Sequence, residues 1–199
     1  MQNQTMLLVF IIASYLIGSI PFGYIIGKLK NIDVRKKGSG NIGGTNVARN
    51  LGLKYGILVG ILDVSKAILP IYIATPYFPI YGWEMAIISI CPVIGHIFPV
   101  WLNFKGGKGV STVAATLFMI LGLKYSLIFL GLWIIMLLLI KIISLNNLII
   151  VLALPFLFWM KTHSYAYLIL SFLYIILIWW AHRENIKRLI QGTEPKFIK

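Results

Sequence analysis

The chain has 199 residues, 59% hydrophobic and only 12% charged, with eighteen Lys and Arg against five Asp and Glu and a formal charge of +13. Its mean hydropathy of +0.90 excludes an ordinary soluble globular domain. At ~20 apolar residues per crossing, the length leaves room for about five to seven membrane helices and little else.

In chain order, the first apolar stretch, residues 6–26, has no basic residue before it, so it reads as a retained helix and not a cleaved leader. Further spans are expected at 55–75, 84–102, 110–121, 125–140, 148–160 and 165–181, of which 110–121 is the weakest. Asp63 and Lys66, on one face of the second span, read as an ion pair. Pro70, Pro92 and Pro155 read as helix kinks, and Tyr77, Tyr81, Trp83, Trp179 and Trp180 as interfacial belts. The lone Cys91 gives neither a disulfide framework nor a thiolate metal site.

The connecting segments are unevenly charged. Seven Lys or Arg fall in 28–54, two in 103–109 and five after 181, while 76–83 carries none. With the N-terminus outside and about seven crossings, fifteen basic residues lie on the cytoplasmic side and two outside, as the positive-inside rule asks. A variant with about five crossings, in which 110–121 and a neighbour dip in and return, keeps the same segments cytoplasmic. The expected fold is all-α: a single polytopic membrane helix bundle over 1–199, C-terminus cytoplasmic. No repeat or low-complexity linker divides it.

Three cytoplasmic segments carry the chemistry. In the first, Gly38, Ser39, Gly40, Asn41, Gly43, Gly44, Thr45 and Asn46 follow the basic run Arg35-Lys36-Lys37. Glycines let backbone N–H groups converge, and hydroxyls and amides add donors, which is how a loop cradles a phosphate. Arg49 closes such a cradle bidentately; a flexible connector obeying only the positive-inside rule is the plainer alternative. Residues 38–43 also match G-x-G-x-x-G, with Asp63 about twenty positions on, but a membrane span precedes the motif where a dinucleotide fold needs a strand.

The second segment, 95–112, holds His96, Lys105, Gly106, Gly107 and Lys108 before a helix start at Val110-Ser111-Thr112, whose free N–H groups favour an anion. Glycine follows Lys108 where a Walker loop needs Ser or Thr, so nucleotide hydrolysis is not expected. His96 reads either as a hydrogen-bonded interfacial histidine or as a direct participant. The third segment, 182–196, puts His182, Asn185 and Leu189 on one helix face and Arg183 and Lys187 on another, with Glu194 after Gly192. An ordinary basic stop-transfer tail is the plainer reading there.

Glycine-rich basic loops at one membrane face suit two phosphate-bearing ligands, one with an acyl tail; nucleic acid is not an expected partner. The chain has no His-x-x-x-x-Asp motif, and the glycine loops hold no carboxylate pair and no zinc cluster. Such a site suits a substrate that brings its own leaving group, as an acyl phosphate does, with His182 or the substrate's phosphate taking the hydroxyl proton.

GSGNIGGTNVAR at 38–49, GHIFPVWLNFKGGKGVST at 95–112 and HRENIKRLIQGTE at 182–194 closely resemble the bacterial acyl-phosphate:glycerol-3-phosphate acyltransferases, the PlsY family. The similarity runs from Gly18 to Glu194. It implies acyl transfer from acyl phosphate to the 1-position of sn-glycerol 3-phosphate, giving lysophosphatidic acid and inorganic phosphate, by a seven-helix inner-membrane enzyme without metal or cofactor. It implies a phosphate loop of Ser39, Asn41, Gly43, Gly44 and Thr45, charge partners Arg49 and Lys108, and His182 and Asn185 completing the pocket. Membrane lipids and a soluble enzyme that makes acyl phosphate are the further expected partners. A transporter of phosphorylated solutes is the rival, weakened because the anion-binding features lie on one face and no inverted repeat exists.

Overall fold

A chain this apolar must satisfy its backbone polar groups internally, and helices do so without partners. The computed structural model describes residues 2–197, and all regular structure among them is helical. Helices α1 (Gln2–Gly18) and α2 (Phe22–Leu29) form one long apolar segment, broken at Pro21, which has no N–H for the ladder. Helix α3 (Gly44–Leu51) meets the start of α4 (Leu53–Ala74) across Gly52, whose φ is 96°. Next come α5 (Trp83–Ile97), a 3-10 turn at Val100–Leu102, the short α6 (Val110–Leu121) and the long α7 (Leu123–Ile140). Helices α8 (Ile143–Ile150) and α9 (Leu154–Thr162) are halves of one apolar segment, and α10 (Tyr165–Ala181) bends by 62° into the polar α11 (Arg183–Ile190).

Every expected span is mainly helical, but the one expected over 6–26 is broken at residues 19–21 and the one over 84–102 at residues 98–99. Among the described residues five segments are long and apolar enough to cross a bilayer: Asn3–Leu29, Leu53–Ala74, Trp83–Leu102, Leu123–Ile140 and Ile143–Thr162; the bent α10–α11 pair makes a sixth. Helix α6 has only 12 residues, ~18 Å at 1.5 Å per residue against a hydrocarbon core of about 30 Å. It packs chiefly against α4 and also against α7, to which Gly122 joins it. Pro70 and Pro92 lie inside α4 and α5, whereas Pro155 sits in the first turn of α9, where its missing N–H is no loss.

The core lies between α4, α5, α6, α9 and α10, around Met85, Ile88, Leu117, Leu154, Phe158 and Tyr174. The Tyr174 hydroxyl is satisfied there, 3.0 Å from the Ser89 carbonyl and 3.1 Å from Thr116 Oγ1. Glycines bring two helix pairs into backbone contact. A Cβ at Gly95 would run into the Tyr15 carbonyl of α1, and one at Gly44 would stand 2.6 Å from the Gly56 carbonyl of α4.

The bundle therefore has two distinct ends. At one, Tyr167 Oη donates to the Ile80 carbonyl and Ser164 Oγ to the Tyr81 carbonyl, both at 2.8 Å. The other gathers the loops around 30–52, 98–109, 141–143 and 182–197, where the Phe197 N–H donates to the Lys141 carbonyl at 2.8 Å.

Candidate active site

The loop before α3 is built around one amide. Asn46 Nδ2 donates to the carbonyls of Asn41 (2.8 Å), Val34 (2.9 Å) and Lys37 (3.1 Å), while its Oδ1 accepts from the Ser39 N–H (2.9 Å) and from Asn50 Nδ2 (3.2 Å). Only a short polar side chain offers donors and an acceptor at that reach, so Asn46 shapes the loop and has no donor left for a ligand. Gly38 and Gly40 turn the backbone at φ of 58° and 70°. Gly43 caps α3 with its N–H on Asn41 Oδ1 (2.6 Å), leaving the Gly44 and Thr45 N–H groups without helical partners.

A second helix N-terminus meets the first. Gly109, at φ 80°, starts α6, and the N–H groups of Val110 and Ser111 in its first turn are free in the same way. The approach to it is a short ladder along the end of α5: the Gly107 N–H donates to the His96 carbonyl (2.9 Å) and the Gly106 N–H to the Ile97 carbonyl (3.1 Å). A side chain at Gly107 would collide with the His96 imidazole. This ladder carries Lys108 inward, where burial, opposed by Glu194 and reinforced by Arg188 and Arg49, brings its ammonium down to about 8.

The α10–α11 junction supplies the third wall. His182, fully buried, places Nδ1 2.8 Å from the Ile178 carbonyl. A carbonyl only accepts, so Nδ1 carries the proton and Nε2 presents a lone pair; that Nε2 has no partner among the described residues. Burial and the nearby Lys108 push the His182 pKa down to about 4, against smaller opposing effects of the Ile178 bond and Glu194. Glu194 returns over α11 and accepts from Asn185 Nδ2 (2.6 Å), Ser144 Oγ (2.7 Å) and Arg188 Nε (2.7 Å). Burial raises its pKa, but these bonds outweigh it and hold the carboxyl below the usual range.

On the floor, Asp63 Oδ1 pairs with Lys66 Nζ at 2.8 Å, and Lys66 also donates to the Ile20 carbonyl at 2.8 Å. His96 Nδ1 stands 3.5 Å from the same oxygen and makes no hydrogen bond among the described residues. Replacing Asp63 with alanine would strand a cation only 4% exposed, a loss of ~3–5 kcal/mol. The expected outcome is a collapse in folded yield; a well-folded, inactive Asp63→Ala protein would instead give Asp63 a part in the chemistry.

These walls enclose a cavity of about 460 Å³, within the ordinary range for small-molecule sites. It is lined by Gly38, Ser39, Asn41, Gly43, Gly44, Thr45, Asn46, Arg49, His96, Lys108, His182, Asn185 and Glu194, all expected from the sequence. Four other expected residues stand outside the lining. Lys105 is exposed, Gly106 and Gly107 are spent in the ladder behind Lys108, and Gly40 only turns the loop. Asp63, Ser111, Ser144, Asn147 and Arg188 also line the cavity. Among the described residues Arg49 and Lys108 belong to no ion pair, whereas Arg188 is tied to Glu194. No three His, Cys, Asp or Glu side chains there gather as a cation site would need.

The convergence of all three motifs on one anion-ready cavity accords with the comparisons to known proteins. A family model described as glycerol-3-phosphate acyltransferase matches residues 8–192. The chain belongs to that family. The glycerol-3-phosphate acyltransferase of Prochlorococcus marinus (strain NATL1A) is 44% identical over 187 residues, covering 92% of this chain and 93% of its own. That of Aquifex aeolicus (strain VF5) is 38% identical over 190 residues, covering 94% and 97%. The crystal structure of PlsY (YgiH), an integral membrane glycerol 3-phosphate acyltransferase, matches in its glycerol 3-phosphate form with a TM-score of 0.91 at 38% identity, over 96% of this chain and 95% of that one. Its lysophosphatidic acid form matches at 0.88 and 37%, over 96% and 94%. The PlsY family expected from the motifs is thus the right one, and this glycerol-3-phosphate acyltransferase is a multi-pass membrane enzyme of phospholipid synthesis.

Proposed function

We propose that this acyltransferase moves a fatty acyl group from acyl phosphate to the 1-position of sn-glycerol 3-phosphate, releasing lysophosphatidic acid and inorganic phosphate. One observation carries the reading: two unpaired cations, Arg49 and Lys108, share a cavity with the buried, unpartnered Nε2 of His182. The site holds phosphates and accepts a proton. Phosphate needs charge stabilisation to depart, and the cations with the N–H groups opening α3 and α6 supply it.

In the reaction, the primary hydroxyl oxygen of glycerol 3-phosphate attacks the acyl carbonyl carbon. The carbon–oxygen bond to phosphate breaks, phosphate leaves with the bonding pair, and the hydroxyl proton passes to His182 Nε2. A weakly basic imidazole suffices, because the attacking hydroxyl becomes strongly acidic once it has added to the carbonyl. Ser39, Asn41 and Thr45 would hold one phosphate with the α3 N-terminus, Lys108 and Ser111 the other, and Asn185 the glycerol. Asn46 would act through the loop it shapes.

The same reading places the site on the cytoplasmic face of a bacterial inner membrane, in one domain of seven crossings with the N-terminus outside. It is supported by the clustering of the basic segments at one end of the bundle. A soluble enzyme that makes acyl phosphate would approach across the exposed Lys28, Lys30, Lys36 and Lys37.

The test is phosphate release from palmitoyl phosphate by the purified protein, with and without glycerol 3-phosphate, beside palmitoyl thioester controls. Release that depends on glycerol 3-phosphate and excludes thioesters is the expected result. Folded protein that uses only thioesters overturns the donor, and no reaction with any donor moves the assignment to solute transport.

A further inference from the structure

Helix α8 carries two adjacent buried amides, Asn146 and Asn147, and both engage a single residue of α7. Asn146 Nδ2 donates to the Trp133 carbonyl (3.0 Å), and Trp133 Nε1 donates to Asn147 Oδ1 (2.8 Å). An indole nitrogen only donates, so the atom it meets on Asn147 must be the oxygen. The amide is thereby locked with its NH2 group turned away from Trp133, and Asn147 lines the active-site cavity. Among the described residues nothing accepts from that Nδ2, although Asn147 is only 6% exposed. The donor opens into the cavity with no protein acceptor, which leaves it free for an acceptor on the ligand.

Its neighbours indicate which acceptor. Arg49, Lys108 and the N-termini of α3 and α6 supply the phosphate-binding charge from other walls. On α8, Ser144 is taken by Glu194. Ile143, one helical turn before Asn147, is with Val110 and Pro195 the apolar part of the lining. A neutral donor beside apolar side chains suits the point where a phosphate joins a hydrocarbon tail, which in an acyl phosphate is the carbonyl.

We infer that Asn147 Nδ2 donates a hydrogen bond to the carbonyl oxygen of the acyl donor, with Trp133 as the positioning residue that holds the amide in that orientation. As the hydroxyl oxygen of glycerol 3-phosphate adds to the carbonyl carbon, the π pair moves onto this oxygen and the amide meets the growing charge. When the pair returns, the bond to phosphate breaks and phosphate leaves with its electrons, the hydroxyl proton going to His182. The inference rests on the acyl-phosphate reading above.

The experiment uses the full-length purified protein and phosphate release from palmitoyl phosphate. Asn147→Ala lowers kcat by ~100-fold, the usual cost of removing one fixed donor to a developing oxyanion, with KM for glycerol 3-phosphate close to wild type. Turnover within about threefold of wild type overturns the inference. Trp133→Phe keeps an aromatic ring there and removes the N–H that locks the amide, so it remains informative even where the alanine variant folds poorly. It lowers kcat by roughly tenfold at unchanged KM, and an unchanged kcat overturns the positioning. Wild-type protein that releases no phosphate in response to glycerol 3-phosphate overturns the acyl-phosphate reading itself, a result visible before any variant is made.

Discussion

Replacing Lys108 with alanine abolishes acyl transfer, by ~1,000-fold or more, while the bundle still forms. The expectation follows from how the side chain is held: the Gly106–Gly107 ladder drives it inward, and no carboxylate pairs with it there. Its charge is therefore available to a substrate phosphate, and a charge-assisted contact at a departing group is among the largest single contributions a site can make. Arg49→Ala should fall by a similar factor from the other side of the cavity. Steady-state phosphate release, with circular dichroism as the folding control, reads both; near-normal turnover in the pair would remove both cations from the site.

The depressed pKa of Lys108 adds a signature of its own. A lysine is charged below its pKa, so in the free enzyme the cation is present at neutral pH and lost as pH rises through about 8. kcat/KM for glycerol 3-phosphate should decline over that interval. Lys108→Arg keeps its charge beyond that range and should hold activity flat to higher pH.

His182→Ala is expected to lose ~100- to 10,000-fold in kcat, the range for removing a positioned general base. The imidazole is neutral above about 4, so its lone pair is available throughout the neutral range, and the enzyme itself contributes no acid limb between pH 5 and 7. A rise in rate through pH 6 to 7 that persists with substrates of different phosphate pKa would contradict the buried neutral state and assign the titration to His182.

The three glycine and histidine segments were legible in the sequence because their residue types are wasteful in any other role: linkers seldom spend Asn, Ser and Thr among four glycines. The α8 wall was not legible. Asn146 and Asn147 sit at the edge of a stretch whose apolar run starts at Leu148, and their tie to Trp133, thirteen and fourteen residues earlier, exists only once α7 and α8 pack. Arg188 was equally hidden. Helical spacing separates His182 and Asn185 from Arg183 and Lys187, but the cation that turns inward is selected by Glu194 beyond the Gly192 turn, at φ 69°. For Asp63 the spacing to Lys66 announced the pair, whereas the proximity of His96 depends on how α4 and α5 are set together. Pro155 marked the 3-10 turn at Val151–Ala153, since its missing N–H leaves the Val151 carbonyl without an α-helical partner, whereas the break at Pro21 was missed inside the single helix expected over 6–26.

The contact between Gly44 and the Gly56 carbonyl has a mechanical side. With no side chain between them to act as a cushion, α3 rides on α4 as one piece, while Lys108 stands on the turn between α5 and α6, which pack on α4 through side chains. Lipid of unmatched thickness tilts single helices at a cost of only fractions of a kcal/mol per Å. A tilt of α4 would move the cradle of Gly44 and Thr45 relative to Lys108, opening or narrowing the gap between the two anion sites. The bilayer that receives the product would thereby set the working distance of the enzyme that supplies it.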